Sequence, residues 1–258
     1  MDDVKELGAL YDDQMYRPNY LEFFDQSDYA NFGYWDETTV NGKQASENLV
    51  EKLLSFIPKK EGLVLDVACG KGATTRYLTR YYPAQDITGI NISRKQLDTA
   101  AANTPGVAFL EMNATSMAFA DATFDALICV EAAFHFYTRE RFLHEALRVL
   151  KPGGRLAMSD YLMTREGERS RRFRYEENYI PDLESYRDLL RDAGFTSVEV
   201  IDVTDQTWQG FYWSMVRILH EKLFAREIDA DTLQRAMAGN YARVAYTQCY
   251  VLVSAVKE

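Results

Sequence analysis

Apolar runs and amphipathic segments alternate along most of this 258-residue chain. Regular alternation of strands and helices predicts an α/β fold whose sheet is doubly wound, mostly parallel, seven-stranded and covered by helices on both faces. Right-handed crossovers in such a sheet place the ligand crevice at the carboxyl ends of the strands. The predicted strands occupy residues 63–68, 86–91, 107–111, 126–131, 155–160, 197–203 and 248–256.

The predicted helices between these strands have recognisable ends. A helix over residues 73–82 follows two glycines, and a second helix begins after Ser93, which is suited to be its N-cap. The helix predicted over 139–150 ends at a Lys-Pro-Gly-Gly cluster, residues 151–154, which predicts a turn. A helix over 183–192 ends near Gly194.

Three stretches do not follow the alternation. Residues 1–60 are helical in pattern and rich in aromatic side chains, and residues 161–182 and 206–245 are long, aromatic-rich connections. Connections in compact α/β units usually have a few residues, and longer ones often serve as lids or substrate-binding elements. We therefore expect an N-terminal helical lid over 1–60, a ligand-binding core over 61–160, and helical cap insertions within 161–258.

Composition and charge exclude several classes of function. A formal net charge of −10 disfavours a nucleic-acid partner, because binding to duplexes draws on clustered positive charge. We find neither an apolar segment of membrane-spanning length nor the features of a signal peptide at the start of the sequence. The widely spaced Cys69, Cys129 and Cys249 suggest reduced core residues of a cytoplasmic protein. A homodimer is compatible with this sequence.

The most informative stretch is the glycine-rich turn between the first strand and its helix, residues 64–75. Such a turn brings backbone N–H groups close to a ligand at the helix N-terminus, and a Cβ at Gly70 or Gly72 would block an adenosyl group. A dinucleotide fingerprint would have a third glycine where Thr75 stands and an acidic residue where Asn91 ends the second strand. The missing glycine and the missing acid therefore both argue against a nicotinamide cofactor.

Five motifs in order resemble those of class I S-adenosylmethionine-dependent methyltransferases: residues 65–72 (LDVACGKG), 89–93 (GINIS), 113–114 (NA), 124–127 (FDAL) and 147–154 (LRVLKPGG). Further stretches resemble the sugar, macrolide and cyanobacterial peptide O-methyltransferases of natural-product pathways, namely 32–35, 131–136 and 159–160. The resemblance implies a Rossmann-like fold, S-adenosylmethionine as cofactor and a small-molecule acceptor.

The resemblance also implies which residues contact the cofactor. Tyr34 or Trp35 would close over the sulfonium end, and Gln96 would support the ribose contact of Asn91. Asn91 and Asn113 stand where many family members carry an acid. The full implied set is Tyr34, Trp35, Asp66, Ala68, Gly70, Gly72, Asn91, Ile92, Gln96, Asn113, Ala114 and Glu131.

Methylation of a hydroxyl requires a group that takes its proton, and a neutral imidazole suits this role. His135 follows the fourth strand, whereas His144 and His220 fall within predicted helices. We predict His135 as the general base and Asp160, after the fifth strand, as the carboxylate that orients it. The alternatives are that His135 only packs and that Asp160 is a turn or N-cap residue. No metal site is expected.

The acceptor is not readable from the sequence. Five arginines in residues 165–174 form either a solvated face or a site for an anionic group, and residues 208–213 suggest the apolar underside of a cap. The leading hypothesis is O-methylation of a mid-sized, partly apolar metabolite. The alternatives are C- or N-methylation of an isoprenoid or an amine, and a non-catalytic cofactor-binding protein of the same fold.

Overall fold

The computed structural model of the protein describes residues 2–258, apart from the side chains of residues 2, 3 and 19. Its strands are β1 (Val64–Val67), β2 (Ile87–Asn91), β3 (Ala108–Glu111), β4 (Phe124–Val130), β5 (Leu150–Met163), β6 (Thr196–Asp202) and β7 (Thr247–Val256). Its helices are α1 (Asp2–Gln14), α2 (Pro18–Phe23), α3 (Gly42–Ser55), α4 (Ala73–Leu78), α5 (Arg94–Asn103), α6 (Arg139–Val149), α7 (Arg165–Ser170), α8 (Leu183–Asp192), α9 (Gly210–Phe224) and α10 (Ala230–Tyr246).

Within residues 2–258, seven strands form one sheet in the order β3-β2-β1-β4-β5-β7-β6. The first five strands run parallel, and β7 lies antiparallel between β5 and β6. Helices α3 and α4 pack on one face of the sheet, and α6 and α8 pack on the other. The doubly wound, mostly parallel, Rossmann-like sheet predicted from the alternation is confirmed.

Two elements, β5 and α4, differ from the sequence prediction by more than two residues at an end, and β5 continues to Met163 rather than ending at Asp160. The predicted turn at residues 151–154 is part of β5, which begins at Leu150 and passes through an irregularity where its register with β4 shifts between Phe124 and Ala126. Helix α4 ends at Leu78 rather than near residue 82. A non-helical turn then leads into Pro83, which precedes a short 3-10 helix before β2.

Helices occupy both long connections, α7 the first and α9 and α10 the second. Phe32 from the N-terminal part contacts Trp208 and Phe211 at the start of the second connection, with ring centroids 5.0 and 4.9 Å apart. Trp208 is buried in this aromatic cluster, whereas Trp213 is 64% exposed. The predicted apolar underside is therefore formed by Trp208 and Phe211. Within residues 2–258, none of the helices has the length and apolar character needed to cross a membrane.

Candidate active site

A partly open cavity lies over the carboxyl ends of β1, β2 and β4, where the alternation predicts the ligand crevice. Its walls are the glycine-rich loop after β1, the segments that follow β2, β3 and β4, and part of the N-terminal segment. The cavity therefore lies where open α/β sheets bind their ligands.

The glycine-rich loop has a left-handed backbone at three alternate positions, with φ of 57° at Ala68, 54° at Gly70 and 82° at Gly72. Ala68 and Gly70 line the cavity, as predicted, but Gly72 does not. A Cβ at Gly72 would lie 2.6 Å from the Cβ of Ala100 in α5. Gly72 therefore does not contribute to the cavity wall; the glycine permits α4 to begin close against α5.

Asp66, at the buried end of β1, accepts a hydrogen bond of 2.6 Å from the hydroxyl of Thr75 in α4. Burial raises the pKa of this carboxyl to about 7. The contact ties strand β1 to α4 beneath the loop, which is the supporting position expected for Asp66. Thr75, which stands where a dinucleotide fingerprint would have glycine, is the partner that makes the contact.

Asn91, Ile92 and Gln96 line the cavity at the end of β2, and Asn113 and Ala114 line it after β3. The Nδ2 of Asn91 donates to the Oε1 of Gln96 at 2.9 Å. The Oδ1 of Asn113 accepts from the backbone N–H and the hydroxyl of Thr115, so its NH₂ group remains as a donor. Both asparagines thus lie where the resemblance expects the ribose and adenine contacts.

Tyr34 and Trp35 are outside the cavity. The ring of Tyr34 packs under the ammonium of Lys52, and the indole N–H of Trp35 donates to the carbonyl of Phe32. The prediction that one of them closes over the sulfonium end is wrong. Helix α1 and residues 28–31 cover the cavity instead. The covering residues of α1 and the turn after it are Val4, Leu7, Gly8, Tyr11 and Met15.

These covering residues recur at helical spacing along one face of α1, so the sequence pattern indicates that this face is buried. The pattern does not indicate which part of the molecule the face packs against. Tyr11 and His135, which contact each other, are 124 residues apart in the chain.

His135 lines the cavity and is held from both sides. Arg171 donates to its Nδ1 at 2.8 Å, and the hydroxyl of Tyr11 lies 2.6 Å from its Nε2. A guanidinium only donates, so Nδ1 is an acceptor and the single proton of the neutral ring is on Nε2, facing Tyr11. Burial, together with Arg171 and Arg139, holds the pKa of His135 well below its ordinary value. The imidazole is therefore neutral at physiological pH.

Glu131, directly after β4, also lines the cavity and has a left-handed backbone with φ of 52°. Its Oε2 accepts from the backbone N–H of Phe32 at 2.8 Å and from the hydroxyl of Tyr250 at 2.9 Å. Its Oε1 accepts no hydrogen bond from the described residues. Burial raises the pKa of Glu131 to about 8, although both hydrogen bonds oppose the shift.

Asp160 is fully buried and does not line the cavity. Its carboxylate pairs with the guanidinium of Arg139 at 2.6 Å and accepts a hydrogen bond of 2.8 Å from the hydroxyl of Tyr186. The prediction that Asp160 orients His135 is wrong, because the partners of its carboxylate are Arg139, Tyr186 and the backbone of Tyr161. The residue that orients the imidazole is Arg171. The sequence analysis had identified Arg171 only as one arginine of the basic tract in residues 165–174.

The remaining arginines of residues 165–174 have separate surroundings. Arg172 pairs with Glu6 of α1 at 2.9 Å, and Arg165 stacks on the ring of Tyr179. Arg169 and Arg174 are exposed and form no ion pair with described residues. The tract is thus divided between support of His135, contact with α1 and a solvated surface.

Comparisons with known proteins identify the family. A model of the family described as methyltransferase domain matches residues 65–158. Over 220 residues the chain is 30% identical to the 27-O-demethylrifamycin SV methyltransferase of Amycolatopsis mediterranei, covering 78% of each protein. It is 31% identical over 217 residues to the O-methyltransferase rstn1 of Aspergillus nomiae, covering 78% of this chain and 93% of that protein. The chain belongs to the class I S-adenosylmethionine-dependent methyltransferases.

A solved structure agrees with this placement. The crystal structure of the [4+2]-cyclase SpnF superposes with a TM-score of 0.74 at 25% sequence identity, covering 98% of this methyltransferase and 96% of that chain. The enzyme described here therefore has the fold of its family, uses S-adenosylmethionine and acts on small-molecule substrates. A non-catalytic role, one of the alternatives from the sequence, is set aside by these relatives.

The cavity of this methyltransferase fits its cofactor chemically. Three acceptor oxygens at its wall have no donor among the described residues: the Oδ1 of Asn91, the Oε1 of Glu131 and the buried Oδ1 of Asn31. S-adenosylmethionine offers hydroxyl and ammonium donors to such oxygens. The Oδ1 of Asn31 is buried without a partner, which is costly, so a ligand that donates a hydrogen bond to it fits this wall.

Proposed function

We propose that this methyltransferase methylates a hydroxyl group of a small-molecule acceptor, with His135 as the proton acceptor. The observation that carries the proposal is the neutral, buried imidazole in the same cavity as the glycine-rich loop. Aromatic side chains surround it, since Phe134, Phe136 and Tyr137 also line this end. A partly apolar acceptor suits such a wall, and one of the relatives described above, rstn1, is named as an O-methyltransferase.

S-adenosylmethionine supplies an electrophilic methyl group when bound. For its binding we propose Asp66, Ala68, Gly70, Asn91, Ile92, Gln96, Asn113, Ala114 and Glu131. Helix α1 covers one side of the cavity and so reduces its contact with solvent. Holding donor and acceptor in line contributes about 7–11 kcal/mol to the lowering of the barrier, which is the larger share of the catalysis expected here.

The proton leaves the acceptor oxygen as the new bond forms, when that oxygen has become strongly acidic. A base of low pKa is sufficient at this point, and a positioned base contributes about 10²–10⁴-fold. Because Arg171 occupies the one lone pair of the neutral ring, the imidazole accepts a proton only after Arg171 has released Nδ1. Release of Arg171 when the acceptor binds is therefore part of the proposal.

The test is a transfer assay with labelled S-adenosylmethionine and a panel of hydroxylated metabolites, followed by identification of the methylated atom. Replacement of His135 by Gln is expected to lower kcat about 10²–10⁴-fold while the Kd for S-adenosylhomocysteine changes little. His144→Gln, at a half-exposed position on α6, is the control. Unchanged turnover by His135→Gln would remove the imidazole from the mechanism, and a methylated nitrogen or carbon would overturn the O-methyltransferase proposal.

Glu131 is a second candidate for the proton acceptor, because its Oε1 has no partner among the described residues and its pKa is raised to about 8. The two candidates differ in pH dependence. With Glu131 as base, kcat/KM for the acceptor rises with pH through the neutral range as the carboxyl ionises. With His135 as base, it stays flat from about pH 6.5 upward, because the ring is already neutral. The profiles of Glu131→Gln and His135→Gln, measured at saturating cofactor, assign the role.

A further inference from the structure

Helix α1 reaches the cofactor end of the cavity through a chain of three side chains. The Oδ1 of Asp12 accepts from the Nε2 of Gln96 at 2.8 Å and from the hydroxyl of Ser93 at 2.6 Å. The Oε1 of Gln96 in turn accepts from the Nδ2 of Asn91 at 2.9 Å. Ser93, Gln96 and Asn91 are all buried. Asp12 itself is only partly buried and does not line the cavity.

The direction of every bond in this chain follows from Asp12. A carboxylate has only acceptor oxygens, so the end of the Gln96 amide that faces Asp12 is its NH₂ group. The Oε1 of Gln96 then faces Asn91 and accepts a hydrogen bond from the NH₂ group of Asn91. The Oδ1 of Asn91 is left as an acceptor at the cavity wall, with no donor among the described residues.

We propose that Asp12 is a positioning residue for the ribose of S-adenosylmethionine: through Gln96 it fixes the amide of Asn91 so that Oδ1 accepts from a ribose hydroxyl. Family members commonly have an acid at the end of β2, whose two oxygens accept in either orientation. An asparagine accepts with one end only and therefore needs a neighbour that sets its direction. The proposal rests on the cofactor contacts proposed above for Asn91 and Gln96.

This arrangement couples recognition of the ribose to closure of the cavity. When α1 is in place, Asp12 sets the Gln96 amide and Asn91 is ready to accept. When α1 moves away, the side-chain amides of Gln96 and Asn91 are free to rotate. The Oδ1 of Asn91 then faces the cavity only part of the time. Linkage is reciprocal, so bound cofactor must also favour the position of α1 seen here.

The first test is the Kd for S-adenosylhomocysteine, measured by calorimetry. Asp12→Ala is expected to raise this Kd about 5- to 10-fold, in line with the loss of one charge-assisted hydrogen bond. Asp13→Ala is the matched control, because Asp13 is the next residue of the same helix and contacts only the exposed Arg17. Its Kd should stay within about 2-fold of the wild-type value. Equal Kd values for the two variants would overturn the proposal.

The second test separates orientation of Asn91 from simple support of α1. In Asn91→Asp the ribose contacts a carboxylate, and Gln96 must turn its NH₂ group towards this carboxylate. The Oε1 of Gln96 then faces the carboxylate of Asp12, and two acceptor oxygens repel each other. Removing Asp12 should relieve this repulsion. Asp12→Ala is therefore expected to leave the Kd of Asn91→Asp unchanged or to lower it. A 5- to 10-fold rise in both backgrounds would show that Asp12 acts only by holding the helix.

Hydrogen exchange gives a readout that does not involve turnover. S-adenosylhomocysteine should slow exchange of the α1 amides in the wild type, and less so in Asp12→Ala. If the wild type does not bind S-adenosylhomocysteine, the cofactor site itself is wrong. If it binds, but Asp12→Ala binds equally well, only the role of Asp12 is wrong.

Discussion

Gly72 and Gly153 both have a positive φ, of 82° and 78°, but their surroundings differ. A Cβ at Gly72 would lie 2.6 Å from the Cβ of Ala100, whereas nothing lies within 4 Å of a Cβ at Gly153. Both substitutions by alanine impose a left-handed backbone on a residue with a Cβ, which costs about 1–2 kcal/mol. Comparing them therefore isolates the cost of the contact with α5.

We expect Gly72→Ala to lower the free energy of unfolding by about 1–3 kcal/mol more than Gly153→Ala does, because α4 and α5 must separate to make room. Denaturant titration of both variants measures the difference. Equal losses would mean that the loop adjusts without disturbing the packing of α4 on α5.

Single residues also show what a sequence discloses about a site. Ala68, Gly70, Asn91 and Asn113 were expected from the resemblance to the methyltransferase family, whose motifs are short and local in the sequence. Arg171 was found only as one charge among several. No local rule indicates which arginine of a tract will turn inward to a histidine 36 residues away.

At the level of elements, polar contacts hold the turn after helix α1 against the glycine-rich loop. Buried Lys71 of the glycine-rich loop donates to the carbonyl of Met15 at 3.0 Å and pairs with Asp28 at 3.2 Å. This ammonium thus joins the loop to both segments that cover the cavity. The helical preface was predicted from pattern, but its docking depends on contacts far apart in the chain, which periodicity does not encode.

We expect Lys71→Met to loosen α1, because the carbonyl of Met15 and the carboxylate of Asp28 both lose a charged donor. Exchange of the α1 amides should accelerate, and S-adenosylhomocysteine should dissociate about 10-fold faster. Lys59→Met, at an exposed position paired only with Glu61, is the control. Dissociation rates are measured by stopped-flow competition, and a rate equal to that of the control would show that Lys71 does not hold the cover.

At the level of the whole molecule, the cluster around Asp160 ties the sheet to two helices. Asp160 belongs to β5, Arg139 to α6 and Tyr186 to α8, and all three side chains are fully or almost fully buried. The sequence predicted that the strand ends at Asp160 and assigned the carboxylate to catalysis, whereas β5 continues to Met163 and Asp160 lies within it. The side of the sheet on which a charged residue is buried depends on its partners, and Arg139 and Tyr186 come from other parts of the chain.

Replacing Asp160 by Asn should destabilise the fold by about 3–5 kcal/mol, since Arg139 would be left as an uncompensated buried charge. The Kd for S-adenosylhomocysteine, measured well below the unfolding temperature, should change little. Asp188→Asn on the exposed face of α8 should cost less than about 1 kcal/mol. A fully stable Asp160→Asn with impaired turnover would restore the catalytic role.

The position of β7 has a consequence for how the protein is made. β7 is the last strand along the chain, yet it separates β5 from β6, and within residues 2–258 β6 pairs with no other strand. On the ribosome, β5 and β6 therefore emerge with a gap between them that stays open until residues 247–256 have left the exit tunnel. Until then two strand edges are exposed to pairing with other nascent chains. The sheet is therefore complete only after β7 has emerged, and chaperones that shield strand edges have their opportunity in that interval.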